Sequence, residues 1–125
     1  MVAVDTSSMV AFLQGERGTD VDHVKQALSG DRLVLPPPVL TELLSDPSVD
    51  EKLAIELTTM RSRLVAPGYW ARAGQLRAAV LAGKRRARLG DALIAQFCLD
   101  NALPIITRDR DFRGFAAVSA LEIVD

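Results

Sequence analysis

Five acidic side chains occupy positions at which the chain could use carboxylates for chemistry. Asp5 follows one apolar run, Asp91 precedes another, Asp109 and Asp111 follow a third, and Glu42 lies within a leucine-rich stretch. Several carboxylates in one pocket repel one another and remain ionised only beside cations. Mg²⁺ and Mn²⁺ are the usual partners of clustered carboxylate oxygens. If the fold brings the acids together, they would form a site for metal-dependent hydrolysis.

Each of these acids also has a simpler structural explanation. Asp5 can cap the helix that follows it, and Asp91 stands at a good N-cap position before an apolar helix. Glu42 can face solvent, because the leucines around it share a different helical face. A turn or a cap explains Asp109 and Asp111 equally well.

The apolar pattern predicts the elements that must position these acids. Short buried strands are expected at residues 2–4, 33–35, 64–65, 103–106 and 121–124. Helices are expected at about 6–13, capped by Thr6 or Ser7, and at about 21–29, 39–44, 48–62, 69–81 and 92–99. Alternating strands and helices indicate an α/β fold with a short parallel sheet, helices on both faces, and one domain over residues 1–125. Such sheets bind ligands beyond the carboxyl ends of their strands, the edge at which Asp5 and Asp109 should meet.

Four sequence pieces strengthen the case when they are taken together: VAVDTS at residue 2, LTELL at residue 40, RLGDALIA at residue 88 and IITRDRDF at residue 105. In this order they resemble the PIN-domain family, and within it the VapC-type toxins of bacterial toxin–antitoxin pairs. The resemblance implies a PIN-like fold and Mg²⁺-dependent endoribonuclease activity, with Mn²⁺ as an alternative ion. It implies that Asp5, Glu42, Asp91 and Asp109 are catalytic and bind the metal, while Asp111 can replace or support Asp109.

A basic segment supplies the other half of the expected function. Residues 57–90 contain eight Lys or Arg residues and no acid, whereas the flanking segments are acidic. In a ribonuclease this segment would hold the RNA backbone, and we expect Lys84, Arg85, Arg86 and Arg88 to do so. The alternative is a solvated basic face with no ligand.

The resemblance also implies protein partners. A free cytoplasmic ribonuclease would harm its host, so we expect a small antitoxin whose tail blocks the acidic pocket. A two-fold homodimer is also implied, with Tyr69, Trp70 and the apolar side of helix 69–81 as a possible surface. We expect that apolar side to comprise Trp70, Ala73, Leu76 and Val80, and packing in the core is the preferred interpretation of both aromatic residues.

The sequence also argues against other classes of protein. No apolar run approaches the roughly 18–20 residues of a membrane span, so we expect a soluble protein. Cys98 is the sole cysteine, which fits a reducing cytoplasm and argues against a zinc site. A signalling receiver domain would need a lysine on its last strand, and none occurs after Lys84. The remaining alternative is a PIN-like module that binds RNA or protein without cutting.

Overall fold

The computed structural model describes residues 1–125, which form three strands and seven helices. In chain order these are β1 (Val2–Val4), α1 (Thr6–Leu13), α2 (Thr19–Ser29), β2 (Leu33–Val34), α3 (Pro37–Leu44), α4 (Glu51–Thr58), α5 (Tyr69–Ala82), α6 (Leu89–Asp100), β3 (Ile105–Ile106) and α7 (Phe112–Ala117). None of the helices is long and apolar enough to cross a membrane.

The three strands form one parallel sheet in the order β2-β1-β3, which confirms the predicted α/β class. Ala3 of β1 is in register with Val34 on one side and Ile105 on the other. Neighbouring residues of a strand point to opposite faces of the sheet, and both Ala3 and Val4 are fully buried. Both faces of the central strand are therefore covered.

Two predicted strands differ in the structure. Residues 121–124 contribute only a single parallel bridge between Ile123 and Ile105 at the β3 edge. Residues 64–65 form no strand, and Leu64 is 95% exposed. The chain after α4 instead contacts Leu35, directly after β2, through two bonds: the Leu35 amide donates to the Arg61 carbonyl, and the Ser62 hydroxyl donates to the Leu35 carbonyl. The prolines that follow Leu35 have no amide hydrogen, so the ladder cannot continue there.

Two helices also differ from the sequence prediction. The fourth helix begins at Glu51 rather than near residue 48, because the Asp50 side chain caps it by accepting from the Leu53 amide at 2.8 Å. In α5 the core positions are Tyr69, Ala73, Leu76 and Val80, whereas Trp70 is 67% exposed. The spacing of 4, 3 and 4 residues places Tyr69 on the same helical face as the other three core residues, with Trp70 at the edge of that face. The Tyr69 hydroxyl donates to the Leu93 carbonyl, which satisfies its polar group inside the core.

Helix α6 is the central helix of the fold. Six of its residues are buried, including Ile94, Phe97 and Cys98, and it packs against α3, α5 and α7. Burial raises the pKa of the Cys98 thiol to about 12, so this cysteine is an unreactive core residue. The first turn of α6 carries Asp91, and its packing against α3 brings Glu42 toward the same place.

Candidate active site

Asp5 lies directly beyond the carboxyl end of β1, where its amide still donates to the Ile106 carbonyl of β3. Its side chain is the N-cap of α1 and accepts from the Ser8 amide at 2.9 Å, so the cap is Asp5 and not Thr6 or Ser7. The same carboxylate accepts from the hydroxyls of Ser7 and Thr107, the latter at 2.6 Å.

Burial dominates the electrostatics of Asp5, which is only 2% exposed. Desolvation raises the pKa of its carboxyl, and the nearby charge of Asp109 raises it further. The hydrogen bonds from Thr107, Ser8 and Ser7 act in the opposite direction but do not cancel the effect of burial. Asp5 is thus a carboxylate whose charge needs further stabilisation.

Glu42 reaches the same pocket from α3. Its Oε1 accepts the Thr6 hydroxyl at 2.7 Å, and its carboxylate lies against the first turn of α6. A Cβ atom at Gly90 would lie only 3.3 Å from Oε2 of Glu42, so glycine leaves room for this close approach. Although Glu42 is exposed, as the simpler explanation expected, its carboxylate is held in place by another element.

Asp91 is the third residue of α6, and its carboxylate is not the helix cap. Its Oδ2 is buried and has no hydrogen-bond partner. Burial, followed by the charges of Asp109, Asp5 and Glu42, raises the pKa of Asp91 to about 7, with Arg88 opposing the change. The other three predicted acids are thus the negative charges that act on Asp91. A buried unpaired oxygen is costly unless another group compensates it.

The segment after β3 brings two more carboxylates to Asp91. Oxygens of Asp91, Asp109 and Asp111 all lie within 4.8 Å of one another, and the three residues are half-buried. The Asp109 amide donates to the Thr107 hydroxyl, and the Asp111 amide donates to Oδ1 of Asp109, each at 2.9 Å. A group of half-buried carboxylate oxygens this close together suits a hard divalent cation.

The eight cations of the basic segment divide into two groups of four. Arg61 pairs with Asp31, Arg72 pairs with Asp100, Arg77 donates to the Ala87 carbonyl, and Arg63 donates to Oδ1 of Asn101 at 3.4 Å. These four cations contact other parts of the fold. The four residues predicted to bind RNA, Lys84, Arg85, Arg86 and Arg88, are all exposed.

Local geometry places two of these four cations, Arg85 and Arg88. Ala87 is buried, and Arg85, two residues earlier, extends over Gly114 and donates to the Arg113 carbonyl at 3.3 Å. Arg88 directly precedes α6 and acts on the charge of Asp91. Arg88 therefore lies near the acidic cluster, and Arg85 lies over α7.

Sequence reasoning missed the groups that hold the acids in place. The sequence analysis assigns Ser7 only a possible role as a helix cap and assigns Ser8 no role, yet both hydrogen-bond Asp5. Nor does the sequence alone indicate that glycine is needed at residue 90, directly before Asp91. Glycine is required there by tertiary packing, because the Glu42 carboxylate lies close to the backbone of residue 90.

We expect Asp91→Asn to stabilise the metal-free protein at neutral and higher pH. Folding raises the pKa of this carboxyl from 3.8 to about 7, so between these values the unfolded chain has lost a proton that the folded chain keeps. The wild-type free energy of unfolding should therefore fall as the pH rises from about 4 to about 7, after which this contribution is constant. Because Asp91 is only half-buried, we expect the variant to gain roughly 1–2 kcal/mol at about pH 8.

Urea unfolding in EDTA at about pH 4, 6 and 8 measures this difference. Asp22→Asn, on an exposed part of α2, is the control for loss of one negative charge. An equal gain at every pH, or no gain at about pH 8, would contradict the electrostatic explanation.

Comparison with known proteins identifies the family of this chain. A family model for the PIN domain matches residues 2–118. VapC ribonuclease Mb1587 of Mycobacterium bovis and ribonuclease VapC11 of Mycobacterium tuberculosis are each 28% identical to the chain over 130 aligned positions. Each alignment covers 98% of this chain and 96% of the relative.

Solved structures share the fold at lower sequence identity. FitAcB from Neisseria gonorrhoeae has a TM-score of 0.72 at 18% identity, covering 100% of this chain and 97% of the other. FitAB bound to an IR36 DNA fragment has a TM-score of 0.74 at 16% identity, with coverages of 99% and 94%. Since the family model spans nearly the whole chain and the acids lie at the carboxyl edge of its parallel sheet, the chain belongs to the PIN domain family.

Proposed function

We propose that this chain, as one domain over residues 1–125, is a divalent-metal-dependent endoribonuclease and the toxin of a toxin–antitoxin pair. Asp5, Glu42, Asp91 and Asp109 are its catalytic residues. The observation that carries the proposal is the buried, unpartnered Oδ2 of Asp91 inside a cluster of like charges. Membership of the PIN family and the names of the VapC ribonuclease relatives support the same activity.

The residues present fit a Mg²⁺ or Mn²⁺ ion. The donors are carboxylate oxygens, the hard ligands that these ions prefer, and one of them has no other partner. Asp91 and Asp109 would hold the ion with Asp5 and Glu42, and Asp111 is close enough to contribute. When bound, the ion supplies positive charge for the phosphate and makes a water more acidic.

The chain's own side chains do the remaining work in the proposed reaction. Hydroxyls of Ser7 and Thr107 fix the Asp5 carboxylate, and the Thr6 hydroxyl fixes Glu42. The carboxylates can accept the proton of the attacking water, whose oxygen bonds to phosphorus as the bond to the leaving oxygen breaks. The exposed cations Lys84, Arg85, Arg86 and Arg88 hold the neighbouring phosphates beside the pocket.

Asp5→Asn and Asp91→Asn should each abolish metal-dependent RNA cleavage while the protein remains folded. Each substitution removes one charge from the group that organises the transition state, so we expect a loss of about 100-fold or more. The assay is cleavage of total RNA with Mg²⁺ or Mn²⁺, with EDTA as the blank, and mapped cleavage ends identify the target. Between Asp109→Asn and Asp111→Asn, we expect the larger loss at Asp109.

Growth of a bacterial host gives an independent measurement of the activity of the same variants. The wild-type chain expressed alone should arrest a bacterial host, and Asp5→Asn should remove the arrest. Asp22→Asn should cut RNA and arrest growth like the wild type. The proposal fails if both site variants keep their activity, or if the wild type cuts no RNA with either metal.

Replacing Lys84, Arg85, Arg86 and Arg88 with Gln should weaken RNA binding and flatten its salt dependence. On single strands, each lost phosphate contact should reduce the slope of log affinity against log salt by roughly 0.7. Fluorescence anisotropy with a labelled oligoribonucleotide measures the slope, and Arg61→Gln is the control because that cation is paired with Asp31. An unchanged slope would mean that the four cations form only a solvated surface.

We propose that an antitoxin silences this activity in the cytoplasm. The clustered carboxylates attract cations, so an Arg or Lys from the partner can enter the pocket and compete with the metal. Co-expression of such a partner should restore growth. Asp5→Asn should still form the complex, because most of the interface lies outside the pocket.

We also propose that the chain forms a two-fold homodimer. Tyr69 is in the core and unavailable, but Trp70 is exposed and lines a groove with Pro37, Val65 and Leu93. A second copy would remove this apolar surface from water. Sedimentation at micromolar concentration should show a wild-type dimer and a Trp70→Ser monomer, whereas a monomeric wild type would contradict the proposal.

A further inference from the structure

An ion pair fastens the segment that carries Asp109 to the start of α2. Nε of Arg108 lies 2.8 Å from Oδ2 of Asp20, and Nη2 lies 3.2 Å from Oδ1, so the guanidinium binds both carboxylate oxygens. The Asp20 side chain is only 11% exposed and that of Arg108 is 33% exposed. This two-point contact at low exposure fixes the orientation of the Arg108 guanidinium as well as its distance from the Asp20 carboxylate.

Asp20 connects this ion pair to Asp5. The Ser8 hydroxyl donates to Oδ2 of Asp20 at 2.8 Å, and the Ser8 amide donates to Oδ1 of Asp5 at 2.9 Å. On the other side, Thr107 is bonded in the chain to Arg108 and donates to Oδ2 of Asp5. Asp5, Ser8, Asp20, Arg108 and Thr107 therefore form a closed ring, which we call the Asp20–Arg108 ring.

The turn between α1 and α2 is shaped around the ring. A Cβ atom at Gly18 would overlap Oδ1 of Asp20 and lie 3.1 Å from Nη2 of Arg108. Arg108 also donates to the Arg17 carbonyl and contacts Glu16 at 3.4 Å. Two groups of this turn and the Asp20 carboxylate at the start of α2 thus accept from a single guanidinium.

The ring opposes the repulsion inside the acidic cluster. The charge of Asp109 acts on Asp5 and on Asp91, which tends to push the segment after β3 away from the sheet. Arg108, the residue next to Asp109, is attached to α2, and Thr107 is attached to Asp5. Asp109 is joined to this anchored segment through its amide, which donates to Thr107.

We propose that Asp20 and Arg108 are positioning residues, which touch neither metal nor RNA but hold Asp5 and Asp109 at the spacing needed for the cation. The inference rests on the proposed metal-dependent function. Residues that orient metal ligands typically change metal affinity or activity by about 10–100-fold when they are removed.

The test measures Mn²⁺ binding by the whole protein, using the electron paramagnetic resonance signal of the free ion. Arg108→Ala and Asp20→Ala should each raise the Mn²⁺ dissociation constant about 10-fold or more. The double variant should be little worse than either single variant, because both remove the same contact. Arg108→Lys, which keeps the charge but not the two-point contact, should show a smaller loss and provides the test if the alanine variants do not fold.

A matched control separates positioning from general stability. Arg72 and Asp100 form an ion pair with nearly the same exposure, 39% and 11%, at the end of α6 remote from Asp91. Arg72→Ala should lower stability to urea by an amount similar to Arg108→Ala while leaving Mn²⁺ affinity unchanged. Equal Mn²⁺ weakening by both variants would overturn the positioning role.

The kinetics of RNA cleavage distinguish a positioning role of Arg108 from direct binding of an RNA phosphate. If Arg108 positions the acids, kcat at fixed metal falls, while KM for RNA and its salt dependence stay constant in both the Arg108 and Asp20 variants. If Arg108→Ala alone raises KM and flattens the salt dependence, Arg108 binds phosphate and the inference is wrong. Wild-type protein that binds no Mn²⁺ would instead contradict the proposed function, and unchanged Mn²⁺ affinity in the variants would contradict only this inference.

Discussion

Burial of an ionisable carboxylate at the end of the central strand is the constraint on which the rest of the structure depends. Asp5 is almost fully removed from water, and a lone carboxylate there would be very costly. Its partners come from α1 and from the segment after β3, through Ser7, Ser8 and Thr107. Those bonds still leave its pKa raised, so the pocket retains an affinity for positive charge even after its local hydrogen bonds are complete.

The position of this pocket could be predicted from the sequence because it follows from strand order and direction. Asp5 and Asp109 come shortly after apolar runs, and parallel strands place such residues at one edge of a sheet. Glu42 and Asp91 are different, since both lie on helices and no period in the sequence relates them. Only the resemblance to the PIN family grouped them, and the packing of α3 on α6 is what brings them together.

The features that could not be predicted depend on competition between neighbouring residues. Tyr69 and Trp70 are adjacent aromatics, and the core of α5 accepts only the one whose hydroxyl reaches the Leu93 carbonyl. Asp91 resembles a helix cap, but α6 begins two residues earlier and leaves this carboxylate without a partner. Local preference for a cap is worth only about 1 kcal/mol, so tertiary packing readily overrides it.

Asp109 and Asp111, which the sequence left as alternatives, are held differently in the structure. Asp109 is held on two sides, since its amide donates to Thr107 and its Oδ1 accepts the Asp111 amide. Asp111 stands at the start of α7 without a side-chain capping bond. A fixed carboxylate loses less entropy when it binds an ion than one that must still be ordered. We therefore propose that Asp109 would be the preorganised ligand of the cation and that Asp111 would support it.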